Sequence, residues 1–337
     1  VKQVQVDGSK VAVEIELTTP ACPMRSKIET DCREAIEAVE GVEQVEVQMS
    51  ARTRGSKGAG KAAQDLLPEV KNVIIVASGK GGVGKSSVAI NIAATLARRG
   101  ARTGLMDADF YGPSIPTMMG VTQPPEVFEE GEVRYMVPVE AHGVHLMSIG
   151  FFVDPAQAVG WRGPMLHKAL EQFLTDVRWG EMDYLVVDVP PGTGDVHMSL
   201  ASFIRATGAV LVSTPQRVAL ADVVRGRSMF NKLDTPVLGL VENMSYFVCD
   251  GCGKEHDIFA RGGGARAAEK LEIDFFGEIP LIPDIRITCD EGVPVVVKDP
   301  EGPAARAYDA VVDRLVESIS RRAVEGEGAD EPKLKLV

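Results

Sequence analysis

The sequence contains no run of about 18 apolar residues, the length a helix needs to cross a bilayer, so no membrane-spanning helix is expected. It shows no recognisable secretory leader, and its first residue is Val1 rather than methionine. Cysteine is scarce. There are five in 337 residues, an odd number, which without a secretory signal suits reduced thiols or metal ligands and argues against a disulfide framework. Basic residues are in deficit: 36 Lys and Arg against 48 Asp and Glu leave a formal net charge of −12, unsuited to gripping nucleic acid through its phosphates. These absences lead us to expect a cytoplasmic protein with neither membrane nor nucleic-acid partners. What is present is an ordinary apolar content, 45%, in a chain long enough to bury a full α/β core and hold a smaller second domain.

Residues 78–87 read SGKGGVGKSS directly after the apolar run NVIIVA at 72–77, and a helical pattern, SSVAINIAATLARRG, follows. Gly79, Gly84, Lys85 and Ser86 satisfy the phosphate-loop pattern, in which a glycine-rich backbone and a helix N-terminus present N–H groups to a nucleotide. The cofactor-binding set is Gly79, Lys80, Gly81, Gly82, Val83, Gly84, Lys85, Ser86 and Ser87. Lys85 would lie on the β and γ phosphates, Ser86 would ligate Mg²⁺, and Ser87 would reach an α or β phosphate oxygen. A second match, GSKGAGKA at 55–62, ends in Ala62, which cannot ligate a metal, and no apolar strand precedes it, so it reads as linker.

The expected fold class is α/β, a mostly parallel sheet flanked by helices in the manner of a P-loop NTPase, preceded by a small α+β domain. Residues 1–50 alternate as VQV and VAVEIEL about an Asp7-Gly8 turn, followed by a helix near Cys22 to Val39 and then VEQVEVQM, which reads as β-β-α-β. Residues 51–71 lose periodicity and read as a flexible linker. From 72 to 323, short Val/Ile/Leu runs alternate with helical patterns, the signature of a parallel sheet covered on both faces. The tail, 324–337, reads as acidic and disordered.

Ligands of such sheets collect at the carboxyl ends of the strands, so acids there are candidates. Asp188 ends the strand YLVVD and would hold Mg²⁺, with Gly192 of PPGTGD near the γ phosphate. Asp107 and Asp109 end TGLMDAD two residues apart; in an extended segment they point the same way, towards an attacking water and a Mg²⁺-bound water. Against that stands the reading of Asp107 as a cap or loop acid. Asp195 equally well caps the helix DVHMSLASFIRA.

Cys249 and Cys252 (CDGC) share one short loop and can chelate one soft metal, zinc or the iron of a cluster. A four-thiolate site needs two more sulfurs, and this domain offers only Cys289 besides; a two-fold dimer supplies a second pair by symmetry. A shared metal or cluster on a dimer axis is the expectation. A redox pair, a zinc knuckle using His256, and inert buried thiols are the alternatives.

The loop GKGGVGKS, with Lys80 right after its first glycine, resembles the deviant phosphate loop of the MinD/ParA/Mrp group. That resemblance implies a dimer sandwiching two nucleotides, with Lys80 reaching the partner's phosphates, and catalytic roles for Lys80, Lys85, Asp107 and Asp109. It makes DADFYGPSIP switch I and DVPPGTGD switch II, and matches Asn243 in VENMSYF to an adenine-recognising asparagine. WRGPM at 161–165, VENMSYFVCDGCG, IFARGGG and GEIPLIPDIR extend the match over about residues 72–322, in the order expected of the Mrp family of iron-sulfur cluster carrier ATPases. The family implies a homodimer using ATP and Mg²⁺, binding a [4Fe-4S] cluster at Cys249 and Cys252 and passing it to apo-proteins, with slow hydrolysis. Arg162 and Arg261 fall inside these motifs without a readable role.

The first 50 residues, notably TTPACPMRSKIE, resemble the small domain of iron-sulfur assembly factors, which implies a reactive Cys22 beside a helix N-terminus. The acidic stretch usual at the start of that domain is lacking, so an N-terminally incomplete unit is expected. Two rival classes remain. One is a partitioning or positioning ATPase of the MinD/ParA type acting on membrane or DNA, which the acidic tail disfavours; the other, an iron-sulfur reductase of the nitrogenase iron protein type, would use separated, not paired, cysteines.

Overall fold

The computed structural model describes residues 1–55, 65–131, 133–152, 163–249 and 251–326. Most of GSKGAGKA, both Trp161 and Arg162, and the tail from residue 327 lie outside them.

The N-terminal unit comprises β1 (Gln3–Asp7), β2 (Lys10–Leu17), α1 (Arg25–Glu37) and β3 (Gln44–Ala51). β1 pairs antiparallel and β3 parallel to β2. The alternation in KVAVEIEL puts Val11, Val13, Ile15 and Leu17 on one buried face, where Ile28, Cys32 and Ile36 of α1 cover them. Cys32 is thus a packing residue of the helix.

The large unit runs β4 (Val70–Ala77), α2 (Lys85–Arg98), β5 (Thr103–Asp107), α3 (Ile115–Met118), β6 (Val127–Glu130), β7 (Val133–Met136), β8 (Val139–Ala141) and β9 (Val144–Ser148). It continues with α4 (Gly163–Thr175), β10 (Met182–Asp188), α5 (Asp195–Phe203), β11 (Gly208–Ser213), α6 (Arg217–Lys232), β12 (Val237–Val248) and β13 (Glu255–His256). α7 (Gly263–Leu271), β14 (Phe275–Leu281), α8 (Pro283–Asp290), α9 (Val295–Lys298) and α10 (Pro303–Gly326) complete it. Among the described residues the main sheet has the order β13-β12-β11-β4-β10-β5-β9-β8, with β14 also on β12. Its central pairings, β11–β4, β4–β10, β10–β5 and β5–β9, are all parallel, and β8 and β13 add antiparallel edges.

The strands are apolar almost throughout because both sheet faces are covered. Along β4, Ile74 and Val76 pack with Ile90 of α2 and Leu315 of α10, whereas Val73 and Ile75 face Leu170 of α4, Leu200 of α5 and Val223 of α6. The period of two in a strand thus distributes one hydrophobic run between two cores.

The N-terminal unit docks at the amino ends of the central strands. The Tyr184 hydroxyl of β10 donates to Thr19 Oγ1 at 2.7 Å, and Ala21 is buried in the same core as Tyr184. Asn72 of β4 donates to the Arg54 carbonyl at 3.1 Å. The described ends of the segment read as a flexible linker are therefore engaged: Arg52 N–H and Arg54 N–H bond Leu17 and Thr18 carbonyls, Thr53 and Leu67 are buried, and β4 starts at Val70. Tyr184 precedes Asp188 by four residues, about 13 Å along a strand, so Cys22 and the small unit sit at the end of the sheet opposite the glycine loop.

Replacing Tyr184 by Phe removes the buried hydroxyl bond to Thr19, and we expect thermal denaturation to show a loss of about 1 kcal/mol, with faster proteolysis after residue 51. An unchanged melt and cleavage pattern would count against this dock.

Candidate functional site

Three chain segments meet at the carboxyl ends of the central strands. The glycine loop between β4 and α2 turns through Gly82 and Gly84, each at φ +81, a region that side chains other than glycine enter at a cost. A Cβ on Gly84 would lie 2.2 Å from the Asn243 amide nitrogen, and one on Gly79 would lie 2.4 Å from Asp222 Cβ. Ser78 Oγ donates to the Lys80 carbonyl at 3.0 Å, and Gly192 N–H donates to the Ser78 carbonyl at 2.8 Å, which ties the 188–192 turn to the loop. No side chain caps the N-terminus of α2 at Gly84, so its first amides are presented to a phosphate. Lys80, Gly81 and Gly82 are exposed, beside a cavity of about 350 Å³ bounded further by Thr214, Met244 and Phe259. Ser87 lies in the first turn of α2 with its hydroxyl against the Cys289 thiol.

Below the loop, Lys85 Nζ is 2.6 Å from Asp188 Oδ1 and 3.7 Å from Asp109 Oδ2, and Ser86 Oγ donates to Asp188 Oδ2 at 2.6 Å. A hydroxyl and a carboxylate this close, at the end of a strand and beside a phosphate loop, are the hard oxygen donors that Mg²⁺ takes together with water. Asp188 is fully buried; burial pushes its carboxyl up from the ordinary range while the Lys85 ammonium pulls against it.

The two acids of TGLMDAD part company. β5 ends at Asp107, so the alternation that would aim both side chains one way stops there. Asp107 Oδ1 accepts from Asp109 N–H at 3.1 Å, and Oδ2 accepts from Ser148 Oγ at 2.9 Å and from Ile115 N–H, at the start of α3, at 3.3 Å. Burial first, then the neighbouring Asp188, raises its carboxyl to about 7. Here both Asp107 carboxylate oxygens are engaged in anchoring the turn and α3, where the spacing predicted a side chain facing an attacking water. Asp109 folds back, its Oδ1 accepting from Tyr111 and Gly112 N–H at 3.2 Å while Oδ2 faces Lys85.

Asn243, expected to recognise a base, donates its amide to the Val83 carbonyl at 2.8 Å and so braces the glycine loop. Gly194, not Asp195, is the residue before α5, and Asp195 occupies the first turn, where its charge complements the helix N-terminus.

Cys249 and Cys252 lie in the turn joining β12 to β13, closed by Cys249 N–H to Lys254 carbonyl at 3.0 Å and Gly253 N–H to Cys249 carbonyl at 2.8 Å. Gly253, at φ +69, permits the turn. Cys249 is half-buried, Cys252 is exposed, and neither is in a disulfide. The turn leads into a strand, so the helix N-terminus that activates a redox pair is missing. Among the described residues no three His, Cys, Asp or Glu side chains gather closely enough to hold a metal, so His256 does not complete a zinc knuckle and Cys289, buried beside Ser87, adds no ligand.

The sequence reading passed over two buried groups. His197 of α5 lies behind the site with neither ring nitrogen in hydrogen-bond geometry and its ring edge-on to Phe230 at 6.0 Å. Burial, assisted by the Lys85 ammonium, lowers it to about 4, so it is neutral at physiological pH. Glu242 of β12, fully buried, accepts from Ser245 Oγ at 2.6 Å, from Gly262 N–H at 2.9 Å and from Gly264 N–H, and so anchors the N-terminus of α7. The PPGTGDVH run gave a signal for His197 only through its closeness to a loop motif; nothing local marks Glu242.

Two outcomes are expected. Gly84→Ala should weaken binding of a fluorescent ATP analogue at least about tenfold, because both φ and the Asn243 contact oppose it, whereas Gly100→Ala, also at positive φ but in open space, should cost only stability. A His held neutral below its unfolded value stabilises the fold above about pH 6.5 and loses that contribution as pH falls towards 4, up to about 3 kcal/mol. Over that window urea melts of wild type should therefore lose stability faster than those of His197→Leu; parallel curves would refute the assignment.

Comparison with known proteins agrees with this geometry. Residues 69–316 match the family model described as NUBPL iron-transfer P-loop NTPase, and residues 1–48 match that of an iron-sulfur cluster assembly protein. The iron-sulfur cluster carrier protein of Deinococcus radiodurans is 49% identical over 324 residues, covering 96% of this chain and 90% of that protein. That of Synechocystis is 44% identical over 326 residues, covering 96% and 92%. A nucleotide-binding protein of Archaeoglobus fulgidus, solved with ADP, is 38% identical, covers 70% of this chain and 91% of its own, and superposes with a TM-score of 0.60. MinD of Pyrococcus furiosus, 22% identical over 73% of this chain and 98% of its own with a TM-score of 0.55, shares the fold. The chain belongs to the NUBPL iron-transfer P-loop NTPase family, with an iron-sulfur cluster assembly domain at its amino end.

Proposed function

We propose that this protein is an ATP-dependent iron-sulfur cluster carrier, a homodimer that holds a [4Fe-4S] cluster between Cys249 and Cys252 of two copies and passes it to apo iron-sulfur proteins. The observation that carries the reading is that one strand, β12, holds Asn243 against the phosphate loop and leads directly into the turn that bears the paired thiols. The relatives named as carriers support it. One hairpin supplies two thiolates, and a cluster of this type takes four, so a second copy related by a two-fold axis completes the set.

In the nucleotide half of the cycle, Mg²⁺, held by Ser86 and Asp188, would supply charge neutralisation to the phosphates. This chain's residues do the rest. Lys85 leaves its 2.6 Å pairing with Asp188 for the β and γ phosphates, and Asp188 and Ser86 would then be free to hold the ion. The amides of Gly81, Gly82, Val83, Gly84, Ser86 and Ser87 cradle the phosphates, with Gly79 allowing the loop's close approach to α6 and Gly192 placed towards the γ position. Asp109 orients the attacking water, and exposed Lys80 reaches across to the second copy's phosphates. Hydrolysis is slow and coupled to delivery. We propose neither membrane nor nucleic acid as a partner.

The test is anaerobic reconstitution with iron and sulfide, reading metal content and visible absorbance for wild type and Cys249→Ser/Cys252→Ser. We expect about four irons per dimer, lost in the double variant. Zinc in place of iron, or iron retained without these thiols, would refute the carrier reading. ATP-dependent reduction of an acceptor without cluster loss would favour a reductase instead.

A further inference from the structure

We propose that Arg261 is a positioning residue for the Cys249–Cys252 hairpin and the terminal member of a side-chain route that carries the state of the phosphate loop to it. The cluster-binding meaning of that hairpin rests on the proposed function above; the route itself rests on geometry.

Arg261 sits in the segment before α7 and engages three strands, two through N–H groups at the edge of its guanidinium and one through its face. Nε donates to Glu278 Oε2 of β14 at 2.8 Å, an Nη donates to Glu255 Oε2 of β13 at 2.6 Å, and the group lies 3.9 Å over the Tyr246 ring of β12. Of the two strands that form the hairpin, β13 is the short one, two residues long and held by the register pairs Phe247–His256 and Val248–Glu255. So short a pairing is weak by itself. The Arg261 fork adds a charge-assisted bond to Glu255 and fastens that strand to β14, three residues after Cys252.

Arg261 is placed in turn by its own backbone. Ala260 and Gly262 flank it at φ +70 and +74, and the amides of Gly262 and Gly264 are held by the buried Glu242 carboxylate. A buried anion at a helix N-terminus is favoured by the amides it accepts from, so the loop carrying Arg261 follows Glu242. Glu242 adjoins Asn243, whose amide rests on the Val83 carbonyl of the phosphate loop. A phosphate that remodels the loop at Val83 and Gly84 therefore pulls on Asn243, hence on Glu242, on the α7 amides and on Arg261. The route alternates hydrogen bonds and ion pairs with the chain continuity of residues 242–243 and 261–262, a contiguous physical network of the kind that can carry coupling.

Alkylation of thiols by iodoacetamide in the full-length, cluster-free protein tests this, with mass-spectrometric rates for each cysteine in ADP, in Mg-ATP and without nucleotide. In wild type, Mg-ATP should change the rate at Cys252. In Arg261→Met, which keeps the stem but loses both ion pairs and the ring contact, that rate should rise about tenfold and no longer respond to nucleotide, with affinity for a fluorescent ATP analogue unchanged. Arg261→Lys should recover only part, since an ammonium cannot bridge two carboxylates and stack at once. Wild-type rates in Arg261→Met, or a wild type indifferent to nucleotide, would overturn the proposal. So would faster alkylation of buried Cys289 in parallel, which marks general loosening. Because the readout needs no cluster, a protein that takes up no iron refutes the carrier reading without deciding this one.

Discussion

The ion pair between Lys85 and Asp188 is the contact around which this molecule is organised. Its ammonium and carboxylate sit 2.6 Å apart, with Asp188 wholly removed from solvent. Each is the other's compensation, since a buried charge without a partner is strongly unfavourable. The pair joins the start of α2 to the end of β10, and through Ser86 and Asp109 it draws in the glycine loop and the turn after β5. In the proposed function a phosphate entering the loop takes Lys85 from Asp188, which makes nucleotide binding an exchange of partners for a buried charge. The 188–192 turn, already tied to Ser78 through Gly192, then has reason to move.

The rest of the architecture distributes that local event. β10 carries Asp188 at its carboxyl end and Tyr184, with the docked small domain, at the other. Cys22 therefore lies across the sheet from the phosphate loop, while the paired thiols lie at the far end of β12, whose earlier residues brace that loop. The two thiol-bearing regions are thus separated along the strands, and of the two only the Cys249–Cys252 turn directly follows a strand, β12, that touches the phosphate loop.

Much of this was readable along the chain. The phosphate loop is a contiguous motif because backbone amides and one helix start do the binding, and those are neighbours in sequence. The continuous apolar runs announced a sheet covered on both faces, and the period of two in VAVEIEL announced the small unit. The paired cysteines were equally legible, their loop being only a few residues long. What the sequence did not show was where an element stops or what crosses the fold. Asp107 and Asp109 were expected to act together, but β5 ends at Asp107, and partners at Ser148 and Ile115 occupy its carboxylate. Asn243 was read for a base, yet the Val83 carbonyl, 160 residues away along the chain, takes its amide.

By itself the sequence determined the class of the fold and located the phosphate-loop motif and the paired thiols, since each rests on local backbone geometry or on residues a few positions apart. Tertiary structure alone decided which carboxylate pairs with Lys85, which one becomes an anchor, and that a buried Glu242 and a bridging Arg261 connect one motif to the other. These are contacts between residues far apart in the chain, chosen by which polar groups packing buries together and must satisfy.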